Sequence, residues 1–95
     1  MYNPFTLENK VIVISGAASG IARQCAVSCS KMGAKLILFD MNEAGLEETM
    51  TMVERPEDHY FACVNLLDYE KVSQVVTEAV EKEGRITGLL NCAGI

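Results

Sequence analysis

The sequence predicts a doubly wound α/β fold, a parallel sheet covered by helices on both faces. Three observations predict it. Val11-Ile12-Val13-Ile14 and Leu36-Ile37-Leu38-Phe39 are unbroken apolar runs, without the polar alternation of a strand that faces water on one side. Segments with apolar residues at helical spacing alternate with these runs, the order produced by strand–helix–strand crossovers. No low-complexity segment, internal repeat or linker interrupts the alternation.

Taken in order, Val11–Ile14 is the first strand. Ile21, Ala22, Cys25, Ala26, Cys29 and Met32 then recur along one helix face, and Gly33 follows where a C-terminal cap belongs. Leu36–Phe39 is the second strand. Asn42 is placed to cap a helix whose apolar face is Leu46, Met50 and Val53 and which stops before Pro56. Tyr60–Val64 reads as the third strand. Asp68 caps the next helix, where Val72, Val75, Val76, Ala79 and Val80 form a regular stripe and Glu78 and Lys82 make an exposed i, i+4 pair. Gly84 ends it, and Ile86–Cys92 supplies a fourth strand centred on Leu89-Leu90. Right-handed crossovers then give the strand order 3-2-1-4. The first two helices share one face of the sheet and the third lies alone on the other.

Composition narrows the function. The chain has 95 residues, 49% of them apolar and 22% charged, so it is one folded domain at most and not a disordered segment. It has no apolar run long enough for a transmembrane helix and no apolar stretch in Met1–Lys10 of the kind a secretory signal carries. A cytoplasmic location is expected, with a mitochondrial one also compatible. The net charge of −5 resides entirely between Glu43 and Asp58, as on a solvated acidic helix face. There is no basic stripe, so nucleic-acid binding is not expected. Cys25, Cys29, Cys63 and Cys92 lack metal-ligand spacing. They read as reduced, buried thiols, with no metal site.

The chemistry lies between the first strand and the first helix, in Ser15-Gly16-Ala17-Ala18-Ser19-Gly20-Ile21-Ala22. Gly16 lets the chain leave the strand by a tight turn, and Gly20 allows the backbone to approach a pyrophosphate at the helix N-terminus. Free N–H groups and the positive dipole end there favour an anion. Ala22 is small enough for helix to pack closely on strand. Hydroxyls of Ser15 and Ser19 add donors. The second strand ends in Asp40, at the distance downstream where a carboxylate accepts hydrogen bonds from both hydroxyls of an adenosine ribose. The constellation implies a Rossmann-type dinucleotide site. Asp40 would repel the 2′-phosphate of NADP, and neither Met41 nor Asn42 is a cation that could receive it, so NAD is the expected cofactor. Arg23, within the helix, is expected to be solvated.

With these residues the sequence resembles the short-chain dehydrogenase/reductases, from Lys10-Val11-Ile12-Val13-Ile14-Ser15-Gly16 to Leu90-Asn91-Cys92-Ala93-Gly94-Ile95. Ser15 stands for the family's threonine and Ala22 for the last glycine of its Thr-Gly-x-x-x-Gly-x-Gly stretch. Asn91-Cys92-Ala93-Gly94 stands where the family has Asn-Asn-Ala-Gly, with Cys92 departing from asparagine. Asn65-Leu66 falls where Asp-Val often lies beside the adenine. The resemblance implies an oxidoreductase acting on CH–OH groups, with Ser15, Gly16, Ala18, Ser19, Gly20, Ile21, Asp40, Met41, Asn65, Leu66, Asn91, Ala93 and Gly94 around the dinucleotide.

The family's acid/base motif, Tyr-x-x-x-Lys, is missing. After Tyr2, Tyr60 and Tyr69 the lysine positions hold Thr6, Val64 and Ser73. No catalytic residue is therefore assigned. The chain is expected to be the N-terminal, NAD-binding part of such an oxidoreductase, truncated after the fourth strand. Its parent would transfer hydride between NAD(H) and an alcohol or carbonyl substrate. The alternative is a short isoform that binds a nucleotide or a partner without catalysis. Self-association through the thinly covered sheet face or the fourth-strand edge is also expected.

Overall fold

The computed structural model describes residues 6–18, 20–65 and 67–91. The elements run β1 (Val11–Ser15), α1 (Gly20–Lys31), β2 (Lys35–Asp40), α2 (Glu43–Met52), a 3-10 turn (Pro56–Asp58), β3 (Tyr60–Cys63), α3 (Tyr69–Glu83) and β4 (Gly88–Asn91). The strands form one parallel sheet in the order β3-β2-β1-β4, as the alternation of apolar runs and amphipathic segments predicts. β1 pairs in register with β2, Val13 opposite Ile37, and with β4, Val13 opposite Leu89. β2 pairs with β3, Phe39 opposite Ala62.

Each strand sends alternate side chains to opposite faces, and two cores result. Ile14, Leu36 and Leu38 pack with Ala22, Ala26, Leu46 and Val53, so α1 and α2 cover one face. Val11, Val13, Ile37 and Phe39 pack with Ala79, Val72, Val75 and Val76 of α3 on the other. This is the division of helices expected from right-handed crossovers.

Strand ends differ slightly from expectation. Val64 lies just past β3, although it stays buried and its N–H donates to the Asp40 carbonyl at 2.9 Å. β4 begins at Gly88 rather than Ile86. The buried face of α1 is a larger correction. Ala22, Ala26 and Ser30 face inward, whereas Ile21 is 68% and Met32 39% exposed. The inward line of α1 is Ala22, Ala26 and Ser30, four residues apart, and Ile21 lies off that line. Ser30 is accommodated because its hydroxyl donates to the Val27 carbonyl (2.7 Å) and accepts from the Glu54 N–H (3.0 Å). The thiols also depart from expectation: Cys25 and Cys29 are half-buried and Cys63 is exposed. Burial and, secondarily, Cys25 raise the Cys29 pKa above the ordinary thiol value, which keeps it protonated. Cys92 lies outside the described residues.

The caps form as the sequence indicates. Asn42 Oδ1 accepts from the Gly45 N–H at 2.9 Å and Asp68 Oδ1 from the Lys71 N–H at 3.3 Å. α1 and α3 close at Gly33 and Gly84, both left-handed. Lys82, expected beside Glu78, has its Nζ 5.5 Å from the Tyr60 ring centroid.

Candidate dinucleotide site

All four strands run in one direction, so Ser15, Asp40, the residues that follow β3 and the end of β4 gather at the carboxyl edge of the sheet. In open α/β sheets ligands bind outside that edge, where helices on opposite faces diverge. Here the divergence falls between β1, which leads into α1, and β4.

The turn after β1 is tightly held. Gly16 has φ 76° and Gly20 φ 65°, left-handed values that glycine adopts without steric cost. The N–H groups of Gly16 and Ala17 both donate to the Phe39 carbonyl, at 2.8 and 3.1 Å. The Ala18 N–H donates to Asp40 Oδ2 at 3.0 Å. These three amides therefore face β2. An anion would be met by the first turn of α1, beginning at Gly20 and Ile21, whose amides have no intrahelical acceptors. A Cβ on Gly20 would meet nothing within 4 Å, so the backbone there is open to close approach. The first turn of α1 has no acidic side chain, whereas those of α2 and α3 carry Glu43 and Glu70. The positive end of the α1 dipole is thus left uncompensated by its own residues. Ala22 is buried against the strands, as its place in the motif requires.

Asp40 is half-buried at the end of β2. Its Oδ1 accepts from the Asn42 N–H and its Oδ2 from the Ala18 N–H, both at 3.0 Å. An ionised carboxylate has about four acceptor positions, so capacity for two hydroxyls remains. Met41 beside it is 65% exposed. Ser15 is buried, and its Oγ lies 3.5 Å from the Leu90 carbonyl, tying β1 to β4. Asn65 is exposed beyond β3, its Oδ1 accepting from the Leu67 N–H at 2.9 Å. Asn91 closes β4, in register with Ser15. Ser15, Gly16, Ala18, Gly20, Ile21, Asp40 and Met41 are thus brought together at the β1 and β2 ends, with the backbone of Asn91 alongside. Ser19, Leu66, Ala93 and Gly94 lie outside the described residues.

The expectation for Arg23 is overturned. Its side chain is only 16% exposed. It donates to Thr49 Oγ1 (2.9 Å), to the Gly45 carbonyl (3.1 Å) and to the Ala18 carbonyl. Helix periodicity cannot reveal this, because the partners come from a loop and from another helix. Thr49 and Gly45, both buried, were likewise not legible as site residues.

Other ionisable groups lie at the opposite, amino edge of the sheet. The Tyr60 hydroxyl is 3.1 Å from Glu83, which Lys35 also contacts at 3.0 Å. Burial and the Glu83 hydrogen bond raise the Tyr60 pKa, opposite to the change that would make a phenol a ready proton donor to substrate. Among the described residues no group of His, Cys, Asp and Glu is placed to hold a metal, and no helix is long and apolar enough to cross a membrane.

A parallel sheet in the order β3-β2-β1-β4 with a glycine-rich turn into its first helix and a carboxylate ending its second strand defines a Rossmann-like α/β protein. Residues 10–95 match the family model described as short chain dehydrogenase, and the chain belongs to that family of oxidoreductases. It is 32% identical over 98 residues to 3-ketodihydrosphingosine reductase of Bos taurus, covering 97% of this chain and 30% of that protein. It is 37% identical over 90 residues to levodione reductase of Leifsonia aquatica, covering 92% and 34%. The crystal structure of carveol dehydrogenase from Mycobacterium avium in complex with NAD superposes with a TM-score of 0.85 at 29% identity, covering 94% of this chain and 37% of that one. The chain thus spans about a third of the length of the relatives it matches.

Proposed function

We infer that this chain is the NAD-binding portion of an oxidoreductase that transfers hydride between NAD(H) and an alcohol or carbonyl substrate. The observation that carries the reading is the placement of Asp40. Its carboxylate stands at the end of β2, bonded to the glycine-rich turn through Ala18, beside the N-terminus of α1. There it would accept hydrogen bonds from the adenosine ribose, while Gly20 and Ile21 at the start of α1 would face the pyrophosphate. The solved relative in complex with NAD supports this assignment. Nicotinamide supplies the hydride chemistry when bound. The residues of this chain bind and orient the dinucleotide and hold no proton-transfer group of the Tyr-x-x-x-Lys kind, so hydride transfer is assigned to the whole protein and not to these residues alone.

Asp40 also sets the preference for NAD. A 2′-phosphate in its place would face a like charge, and Met41 and Asn42 offer no cation. Dissociation constants for NAD and NADP, measured on the chain and on Asp40→Ala, test this. The wild type should prefer NAD and the variant should lose the preference. An unchanged preference would remove Asp40 from the role. The expected location remains the cytoplasm. The other partner proposed is a second copy, through Leu89 and Leu90 at the β4 edge.

A further inference from the structure

The glycine-rich turn is held from two directions. β2 takes its amides, as described above. Its carbonyls are taken from the other side, by α1 and α2, through one half-buried guanidinium and the hydroxyl it holds. Arg23 Nε donates to Thr49 Oγ1 at 2.9 Å. With its acceptor side so engaged, the Thr49 hydroxyl has one proton to donate and two carbonyls in reach, Ala17 at 2.7 Å and Gly45 at 3.1 Å, and the shorter contact is to Ala17. Arg23 Nη2 donates to the Ala18 carbonyl directly and to the Gly45 carbonyl at 3.1 Å. Nη1 lies 3.5 Å from Glu48 Oε1, which balances the charge. Thr49 is fully buried. At Gly45 a Cβ would stand 2.7 Å from the Ala18 Cβ and 2.9 Å from its carbonyl oxygen, so α2 abuts the turn with no space between them.

We propose that Arg23, Thr49 and Gly45 form a positioning brace that sets the shape of the turn at residues 16–18 and, through it, the affinity for a dinucleotide pyrophosphate. The second clause rests on the NAD-binding reading of the site. Withdrawing a guanidinium from water is costly in proportion to its burial unless its donors are satisfied, and here the half-buried planar fork reaches three acceptors on two other segments, a geometry an ammonium cannot reproduce. Buried carbonyls of a turn must find donors, and this turn has none of its own to offer because its amides point to β2. Ala18 links the two halves, its N–H on Asp40 and its carbonyl on Arg23. A shift of the brace therefore moves the ribose carboxylate's partner together with the entry to α1. None of the three is a catalytic residue.

Amide hydrogen exchange at Ala17 and Ala18, read against Leu38 in the core strand, is the direct measurement, paired with the NAD dissociation constant of the same protein. Loss of charged hydrogen bonds of this kind corresponds to about tenfold or more. In Arg23→Met, exchange at Ala17 and Ala18 should rise by about tenfold relative to Leu38, and the NAD constant should weaken by a similar factor. Arg23→Lys should not rescue either quantity. Thr49→Val should show the same pair of changes and Thr49→Ser should restore both. If Arg23→Met loses its fold, the two threonine variants carry the test. Unchanged exchange at the turn, or a rise shared equally by Leu38, overturns the brace. Faster exchange at the turn with an unaltered NAD constant overturns its role in positioning. A wild-type chain that does not bind NAD refutes the reading of the site, while turn exchange still decides whether the brace exists.

Discussion

His59 offers a quantitative test of how the α2–β3 connection is held. His59 is 7% exposed. Its Nδ1 accepts from the Leu36 N–H at 3.0 Å, and its Nε2 lies 2.7 Å from the Glu54 carbonyl. A backbone amide can only donate and a carbonyl only accept, so the ring must be neutral with its proton on Nε2. Burial is the main cause holding its pKa below the ordinary imidazole value. The Arg55 guanidinium adds to that, while the Glu54 carbonyl, Asp58 and Glu57 pull the other way. Protonation puts an N–H against the Leu36 N–H, and an orphaned buried donor costs about 1–3 kcal/mol. The unfolded imidazole titrates near pH ~6.5 and the folded one lower. Between those values the unfolded chain binds more protons, so stability falls as pH drops, by at most about 1.4 kcal/mol per pH unit. The full contribution is present above about pH 7.5 and the loss levels off below the folded pKa. At pH ~7.5, His59→Ala orphans both Leu36 N–H and Glu54 C=O and should cost about 2–4 kcal/mol. Urea unfolding of both proteins from pH 5 to 7.5 measures this. The gap between them should narrow toward pH 5. A gap of constant size across that range would refute a neutral, doubly bonded imidazole.

Leu46→Ala removes a fully buried side chain under α2 and should lower the unfolding free energy by about 2–5 kcal/mol in the same assay; a loss under 1 kcal/mol would show that the α1–α2 core is loosely packed. Gly33→Ala and Gly84→Ala share left-handed backbones but differ in surroundings. At Gly84 a Cβ meets nothing within 4 Å, whereas at Gly33 it would lie 2.8 Å from Glu8 Cγ and 3.2 Å from the Glu8 backbone nitrogen. Gly84→Ala should cost about 1–2 kcal/mol and Gly33→Ala measurably more; equal losses would mean that Glu8 yields freely. Leu89 and Leu90 are 69% and 37% exposed on a strand that, among the described residues, is paired on one side only. Sedimentation velocity should detect concentration-dependent association that Leu89→Lys reduces, and a monomer at every concentration would count against it.

Much of the fold was legible in the chain because periodicity is a local property. The uninterrupted Val11–Ile14 and Leu36–Phe39 runs specify strands buried on both faces. Asn42 and Asp68 mark helix starts through hydrogen bonds that span only three residues. The spacing from Gly16 and Gly20 to Asp40 specifies where a carboxylate must stand relative to a helix N-terminus, since one crossover brings the end of β2 beside the end of β1. The parts that misled were set by which side of a helix meets the sheet. Ile21 and Met32 fit a helical stripe as well as Ala22 and Ala26 do, but the inward line of α1 runs through Ala22, Ala26 and Ser30, and Ser30 takes its place there with its hydroxyl satisfied by Glu54.

The sequence by itself determined the order of elements, the parallel sheet and the glycine-rich turn paired with Asp40, because each rests on short-range pattern and on the handedness of crossovers. Only the tertiary structure decided how that turn is held. Arg23 looks like a surface residue of a helix until α2 is packed against α1, and Thr49 and Gly45 carry no signal until they meet Ala17 and Ala18. Hydrogen bonds between segments far apart in the chain depend on which faces pack together, and that is settled by the whole core rather than by any stretch of it.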